Sequence, residues 1–464
     1  MKKIIALLAV FGAMLSSLVI ANAQDIEFAT INDYLKNPET IGYSTKFNEE
    51  VAKMEKDGDG YIFPNGFRQV LNFGENNGTI NCDMSFNFTD SQWVGLQLNA
   101  KDPDERCWTT TCYGILIWKD RVEIQVFGNA SSKTGYLANF TYAVPQNEKI
   151  NVKAGAIPME EGNYVFVQIG DAAFGVHDRG GVHKEGGYFS IDGDTGGLTL
   201  YETEENNAMV PYVEVSYDEK EGALSAITGP DTYDNVSYEW YLSTDEFIYE
   251  EKSMVTDLAQ FESVYGVTQS ALELKGSEIG LYGMCIATID GVKAYSNVAY
   301  ADPVEYVKNH GYVGRVGYSK AVMNGVVFTY DEADKDIYPD IIDEVVYLPY
   351  RGIAESLGCP VEWNAETRVV RVLAPVGNGN DPEVTFCVDK QGFLNFKSLM
   401  NSQMSYAPKL INDRTFLDVY STSNVFELKN VIVDETTEMV IMTADKIDLS
   451  AAQLEDLAYY MDEI

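Results

Sequence analysis

The chain has 464 residues, which sets an expectation of about three domains. It carries 71 acidic against 33 basic residues, a formal net charge of −38. That balance excludes nucleic acid and anionic membrane surfaces as partners, because both need clustered Lys and Arg, and it suits a protein kept soluble outside the cell.

The first residues read as a secretion leader. Lys2 and Lys3 precede the apolar stretch Ile4 to Ile20, and Ala21-Asn22-Ala23 has the small-x-small form of a cleavage site. Residues 1–23 are therefore expected to be a signal peptide, with the mature chain starting at Gln24 and secreted. No later segment is apolar and long enough to cross a bilayer, so no span is expected in the mature chain.

From Gly66 to about Glu202 the pattern is strand after strand. Along Ser91 to Asn99, Val94, Leu96 and Leu98 fall on one side, and Trp93, Gln97 and Asn99 on the other. Tyr113 to Trp118 and Arg121 to Phe127 flank Lys119-Asp120, a two-residue hairpin turn. Asn163 to Ile169 and Ala172 to His177 flank a second, Gly170-Asp171. Gly187 to Ile191 and Leu198 to Glu202 flank a Gly/Asp-rich loop. The strands Phe67 to Phe73 and Trp93 to Leu96, the hairpin around Val165 to Gln168 and the closing Gly196 to Glu202 resemble the concanavalin-like jelly-roll group of lectins, laminin-G-like modules and some glucanases. The resemblance covers residues 60–203, with Ile26 to Lys56 expected to add an edge strand and a short helix.

From Pro211 to Pro303 the rhythm shortens. Val213 to Tyr217, Leu224 to Ile227, Tyr238 to Leu242, Thr268 to Leu274, Gly280 to Ala287 and Ala294 to Val298 read as strands. This resembles a bacterial immunoglobulin-like module, with Trp240 as core Trp and Tyr282 at the corner near Cys285. No second Cys precedes Trp240, so no inter-sheet disulfide is expected. Cys285 and Cys387 lie in apolar runs and read as buried thiols.

Residues 304–445 hold the most specific pattern. Val345 to Gly358 is followed by Val361-Glu362-Trp363-Asn364 and Thr367 to Val372, with Val322 to Val327 upstream. These stretches resemble the copper amine oxidase N-terminal-like stalk domain of bacterial secreted proteins, which implies a spacer module without a copper site. A second copy follows: Pro408 to Leu417 repeats Pro339 to Leu348, and Val431 to Asp434 with Met439 to Ile441 echoes Val361 to Asn364 with Val369 to Arg371. Each repeat is a hairpin, an amphipathic helix (Ile353, Ala354 and Leu357, ended by Gly358) and two strands. The second copy lacks the Pro-x-Arg and Leu-Gly, so its helix is expected to be shorter or shifted. Trp363 and its counterpart Val433 are expected in equivalent cores. Ser450 to Ile464 reads as a helix with a Ser450–Gln453 capping box and a stripe of Leu454, Leu457, Ala458 and Met461, docked on the stalk.

The expected fold is thus mainly β. A jelly-roll sandwich spans 24–205, an Ig-like sandwich 206–302, an α+β stalk of two repeats 303–447, and a terminal helix 448–464.

Chemistry is sparse. Jelly-roll glucanases need two carboxylates on one strand face, E-x-D-x-E, and Arg121-Val122-Glu123-Ile124-Gln125 offers one acid and one amide. His177 and His183, with Asp178, Arg179 and Glu185, have no metal spacing. Asp57-Gly58-Asp59-Gly60 and Asp192-Gly193-Asp194 are candidates for structural calcium, but turn chemistry accounts for both, and Arg68 stands where an EF-hand needs Glu. No cofactor is expected. Cys107 and Cys112 are close enough in sequence to close a disulfide loop. The candidate site is the polar face of the jelly roll: Trp93, Gln97 and Asn99 on one strand, Arg121, Glu123 and Gln125 on another. An aromatic platform ringed by planar hydrogen-bonding groups suits sugars. The expectation is a non-catalytic secreted surface protein whose jelly roll binds glycan or peptide. The alternatives are a glycoside hydrolase or lyase, and an assembly protein whose partner is another surface protein.

Overall fold

Alternation and short turns build the first layer. Along Trp93 to Leu98 the odd-numbered positions from Trp93 and the even-numbered from Val94 take opposite faces, until an irregularity at Asn99 breaks the alternation; Val94, Leu96 and Leu98 are at most 2% exposed. The structure, a computed structural model, describes residues 29–30, 55–58, 60–62, 71–76, 79–102, 110–128, 135–159, 161–179, 187–194, 197–201, 210–230, 232–244, 254–256, 258–373, 382–395 and 400–464. The expected leader lies outside these residues. So does most of 26–56, except Ala29–Thr30, paired parallel to Ile80 and Asn81, and the start of Glu55–Asp57.

By contact the chain divides into two compact units, residues 1–216, 225–272 and 282–299, and residues 217–224, 273–281 and 300–464. In the first, one sheet runs in the order Met254–Thr256, Gly135–Thr141, Arg121–Phe127, Cys112–Trp118, Trp93–Ala100, Gly187–Asp194, Leu71–Asn76. The facing sheet contains Ala172–Asp178, Asn163–Ile169, Ile150–Pro158, Thr79–Phe86 and Leu198–Tyr201 in that order. Leu96, Ile115, Ile117, Val122 and Ile124 from one sheet share a buried cluster with Met84, Val152, Val165, Val167 and Phe174 from the other. Both expected hairpins form, with Gly170 at φ +59° in the second turn.

The strands expected for the Ig-like sandwich are present. Tyr212–Asp218, Ala223–Gly229 and Ala271–Glu273 make a three-stranded sheet. Glu262–Val264, Val236–Ser243, Tyr282–Ile289 and Val292–Tyr295 make the other, with Trp240 fully buried at its centre and its indole N–H donating to the Gln269 carbonyl at 2.9 Å. This second sheet does not stop there. Val292–Tyr295 pairs parallel with Ala172 to Phe174, so it continues into the jelly roll, and Met254–Thr256 pairs parallel with Ala138 to Phe140. Cys285 is buried as expected, and burial pushes its thiol up to about 12; Cys387 is only half-buried.

In the second unit the repeat extends further than the sequence pattern. Two hairpins, Asp340–Ile342 with Val345–Pro349 and Lys409–Ile411 with Arg414–Asp418, turn through pairs of left-handed residues, Asp343-Glu344 and Asn412-Asp413. They pair back to back, Leu348 opposite Leu417. Each leads into a seven-residue helix, Tyr350–Ser356 and Val419–Val425, ended by Gly358 and Glu427 in the left-handed region. The second helix is therefore neither shorter nor shifted: Asp418 caps it by accepting from the Ser421 amide at 3.0 Å, where the first copy has Pro349.

The sheets show the deeper relation. One runs Val326–Thr329, Lys320–Met323, Gly311–Arg315, Met439–Thr443, Asn430–Asp434; the other runs Met400–Ser402, Phe393–Asn395, Pro382–Cys387, Val369–Leu373, Val361–Asn364. The order matches position for position. Each sheet joins the three leading strands of one repeat to the two closing strands of the other. Both buried clusters accordingly mix the repeats, Tyr312 and Leu348 with Phe416 and Met442 in one, Tyr350 and Val370 with Phe386 and Leu417 in the other.

Helix Pro303–His310, absent from the sequence reading, opens this unit, capped by Asp302, whose carboxylate accepts from the Val304 amide at 2.8 Å. The terminal helix, Ala451–Glu463, has the expected capping box and buries Leu454, Leu457, Ala458 and Met461. Arg315 anchors its end through Asp462 at 2.8 Å.

Trp363 and Val433 do occupy equivalent positions, yet neither is core: they are 36% and 38% exposed. Both lie on the outermost strand of a sheet, so only their cross-strand partners, Val370 and Val440, are covered. Trp240→Ala is expected to cost about 3–5 kcal/mol and Trp363→Ala roughly 1 kcal/mol or less in urea denaturation; equal costs would contradict the placement of Trp363. The exchanged strands give a second expectation. Fragments 303–373 and 382–464 should each lack a cooperative melt alone and regain one when mixed; a cooperative melt of either by itself would contradict it.

Candidate functional site

The two-residue turn at Lys119-Asp120 places Trp118 and Arg121 side by side on the face of the seven-stranded sheet that is turned away from the shared core. The register of Trp93–Ala100 against Cys112–Trp118 sets Trp93 opposite Trp118. Three planar groups therefore stand in a row across three adjacent strands. The Trp93 and Trp118 rings are 5.8 Å apart and tilted by 35°, and the Arg121 guanidinium lies 4.0 Å over the Trp118 ring.

Buried polar groups hold the end of that row. Arg121 Nε donates to Glu123 Oε1 at 2.7 Å and its Nη1 to Asp120 Oδ1 at 3.0 Å. The other Glu123 oxygen accepts from Gln125 Nε2 at 2.8 Å. Glu123 is 4% exposed, whereas the Arg121 side chain is 32% exposed. Burial works against the guanidinium charge, and the Glu123 and Asp120 carboxylates outweigh it, leaving the Arg121 pKa above its ordinary value. Next along the face, Gln97 is fully buried and accepts from the Ser190 hydroxyl at 2.8 Å. Asn99, in the left-handed region, is buried at an irregularity in the pairing with Gly187–Asp194. Ala100, Cys112, Leu116 and Phe127 form an apolar cluster on this face, with Trp93, Trp118 and Tyr188 packed against it.

Trp93, Gln97, Arg121, Glu123 and Gln125 thus share one face, with Asn99 at the irregularity beside them, but they are not one open surface. Gln97, Asn99, Glu123 and Gln125 are buried in a polar layer, and only Trp93 and Arg121 are half-exposed. Trp118 is the residue the sequence reading passed over. Its signal was the turn itself, which puts positions 118 and 121 in register. The Trp118 indole N–H is buried without an acceptor among the described residues.

The other candidates disperse. His177 contacts the Glu161 carbonyl, Asp178 accepts from the Tyr113 hydroxyl at 2.7 Å, and Arg179 pairs with Glu214 at 2.6 Å. His183 and Glu185 lie outside the described residues. So do Asp59 of the first Asp/Gly cluster and Cys107 of the expected disulfide; Cys112 is buried. Asp192 and Asp194 stand opposite Gly95 and Trp93 in the strand register. Among the described residues no group of three or more His, Cys, Asp or Glu is placed to hold a metal ion. No described helix is long and apolar enough to cross a membrane.

No curated protein matches the chain. Among solved structures, it is similar to the carbohydrate-binding module CBM66 from Bacillus subtilis, at 14% identity and TM-score 0.24, over 32% of this chain and 88% of that one. An alginate lyase from Pseudomonas aeruginosa matches at 10% identity and TM-score 0.21, over 36% and 81%. A leech intramolecular trans-sialidase matches at 10% identity and TM-score 0.20, over 78% and 61%. At such values the likeness says nothing of ligand or activity. The expectation of a non-catalytic chain is nevertheless withdrawn, because enzymes stand beside the binding module among these structures. The sequence-level likeness is specific to the repeats: residues 322–442 match the family described as the copper amine oxidase N-terminal domain.

Proposed function

We propose that this is a secreted bacterial surface protein whose jelly roll binds carbohydrate at the row Trp93, Trp118, Arg121, and whose stalk repeats serve as a spacer. The row carries the reading. Sugar rings present C–H faces that stack on aromatics, while their hydroxyls pair with planar polar groups. Here two half-exposed indoles stand next to a guanidinium whose position is set by Glu123 and, through it, by Gln125. A binding group held in this way loses little freedom when a ligand arrives. The leader-like N-terminus and the net charge of −38 support secretion.

A glycan array with the full mature chain, followed by calorimetry on the best ligand, tests this. Trp93→Ala and Trp118→Ala are each expected to weaken binding by roughly tenfold or more, about 1.4 kcal/mol. Trp363→Ala, in the other unit, should leave it unchanged. Undiminished binding by both jelly-roll variants would place the ligand elsewhere.

A further inference from the structure

Resting on that reading, we infer that the ligand of the Trp93–Trp118–Arg121 row is an uncharged polysaccharide and not a polyuronate or sulfated chain. The balance of charge at this end of the sheet carries the inference. Arg121 is bound by two carboxylates, Glu123 at 2.7 Å and Asp120 at 3.0 Å. Its neighbour Lys119 is bound by Asp90 at 2.8 Å. Two cations therefore meet three carboxylates, so this cluster carries a net negative charge that opposes an anionic sugar. Among the described residues of the neighbouring strand, Asn139 and Thr141 stand opposite Glu123 and Arg121 and bring no charge. The whole chain adds a field of the same sign.

A polyuronate brings about one negative charge per sugar, and recognising it takes free Arg or Lys in bidentate or ammonium contact. A neutral sugar meets what this site offers. Its hydroxyls donate, and the carboxylates of Asp90 and Asp120, 91% and 76% exposed, accept while still paired to their cations. Glu123 is not available for that role, since both its oxygens are engaged inside the sheet face.

The test uses the full mature chain in affinity electrophoresis and calorimetry against β-glucan, xylan and mannan, and against alginate and polygalacturonate, at about 20 mM and about 500 mM NaCl. The inference expects at least one neutral polymer to bind, with little dependence on salt and a loss of roughly tenfold in Trp118→Ala, and neither polyuronate to bind. A second variant changes only exposed carboxylates, and Asn is well tolerated at a hairpin turn; an unchanged melting curve checks that it folds. Asp90→Asn with Asp120→Asn should weaken the neutral ligand severalfold and bring in polygalacturonate binding at low salt. Polyuronate binding by the unmodified protein, abolished by Trp118→Ala, would overturn the inference and leave the carbohydrate reading standing. A double variant that still ignores polygalacturonate would show that the paired carboxylates are not what excludes it, and would also overturn the inference. Binding of neither class, or neutral binding indifferent to Trp118→Ala, would overturn the inference and the reading together.

Discussion

The register imposed by the Lys119-Asp120 turn is the constraint on which the jelly-roll site depends. Side chains on a strand alternate with period two, so a slip of one residue would turn Trp118, Arg121, Glu123 and Gln125 into the core and expose Ile117, Val122 and Ile124. With the register as it is, the apolar set seals the sandwich and the mixed set meets Trp93 on the opposite face. That mixed face is not simply solvated. Gln97 with Ser190, and Arg121 with Glu123 and Gln125, satisfy one another there, which lets polar side chains be buried without the penalty of unmade hydrogen bonds. What reaches the surface is the rim of this layer, and the rim is held in place by it.

The stalk repeats rest on a different device. Neither copy closes its own sheet. The pairing of Leu348 with Leu417 brings two hairpins together, and each sheet then takes three strands from one copy and two from the other. A sequence repeat usually implies units that stack on neighbours. Here the copies exchange strands, so the two buried clusters belong to the pair, and a change in one repeat is felt in both. A module built this way has no separable half, which suits a spacer.

Much of the architecture was legible because it rests on local chemistry. Turn pairs such as Gly170-Asp171, the Ser450–Gln453 capping box and the alternation of Val94, Leu96 and Leu98 each act within a few residues, and all appear as read. What escaped depends on distant neighbours. The parallel pairing of Ala172 to Phe174 with Lys293 to Tyr295 joins segments more than a hundred residues apart, and no local pattern announces it. Trp363 looked like core because its position repeats Val433, but an edge strand leaves both uncovered, and edge position is a property of the sheet. Glu123 and Gln125 looked solvent-facing because alternation separates faces without saying whether the polar one is buried. Trp118 became visible as a site residue only once Trp93 was known to stand opposite it.

Trp93 and Trp118 are the residues proposed to touch the sugar. The protein has five tryptophans, each with one indole N–H resonance, assignable by single substitutions. Titrating a bound neutral oligosaccharide into nitrogen-15-labelled full chain is predicted to shift the Trp93 and Trp118 resonances, and to leave those of Trp240, buried in its own sheet, and Trp363, in the other unit, in place. Movement of Trp363 with Trp93 and Trp118 unmoved would place the sugar away from the jelly-roll row.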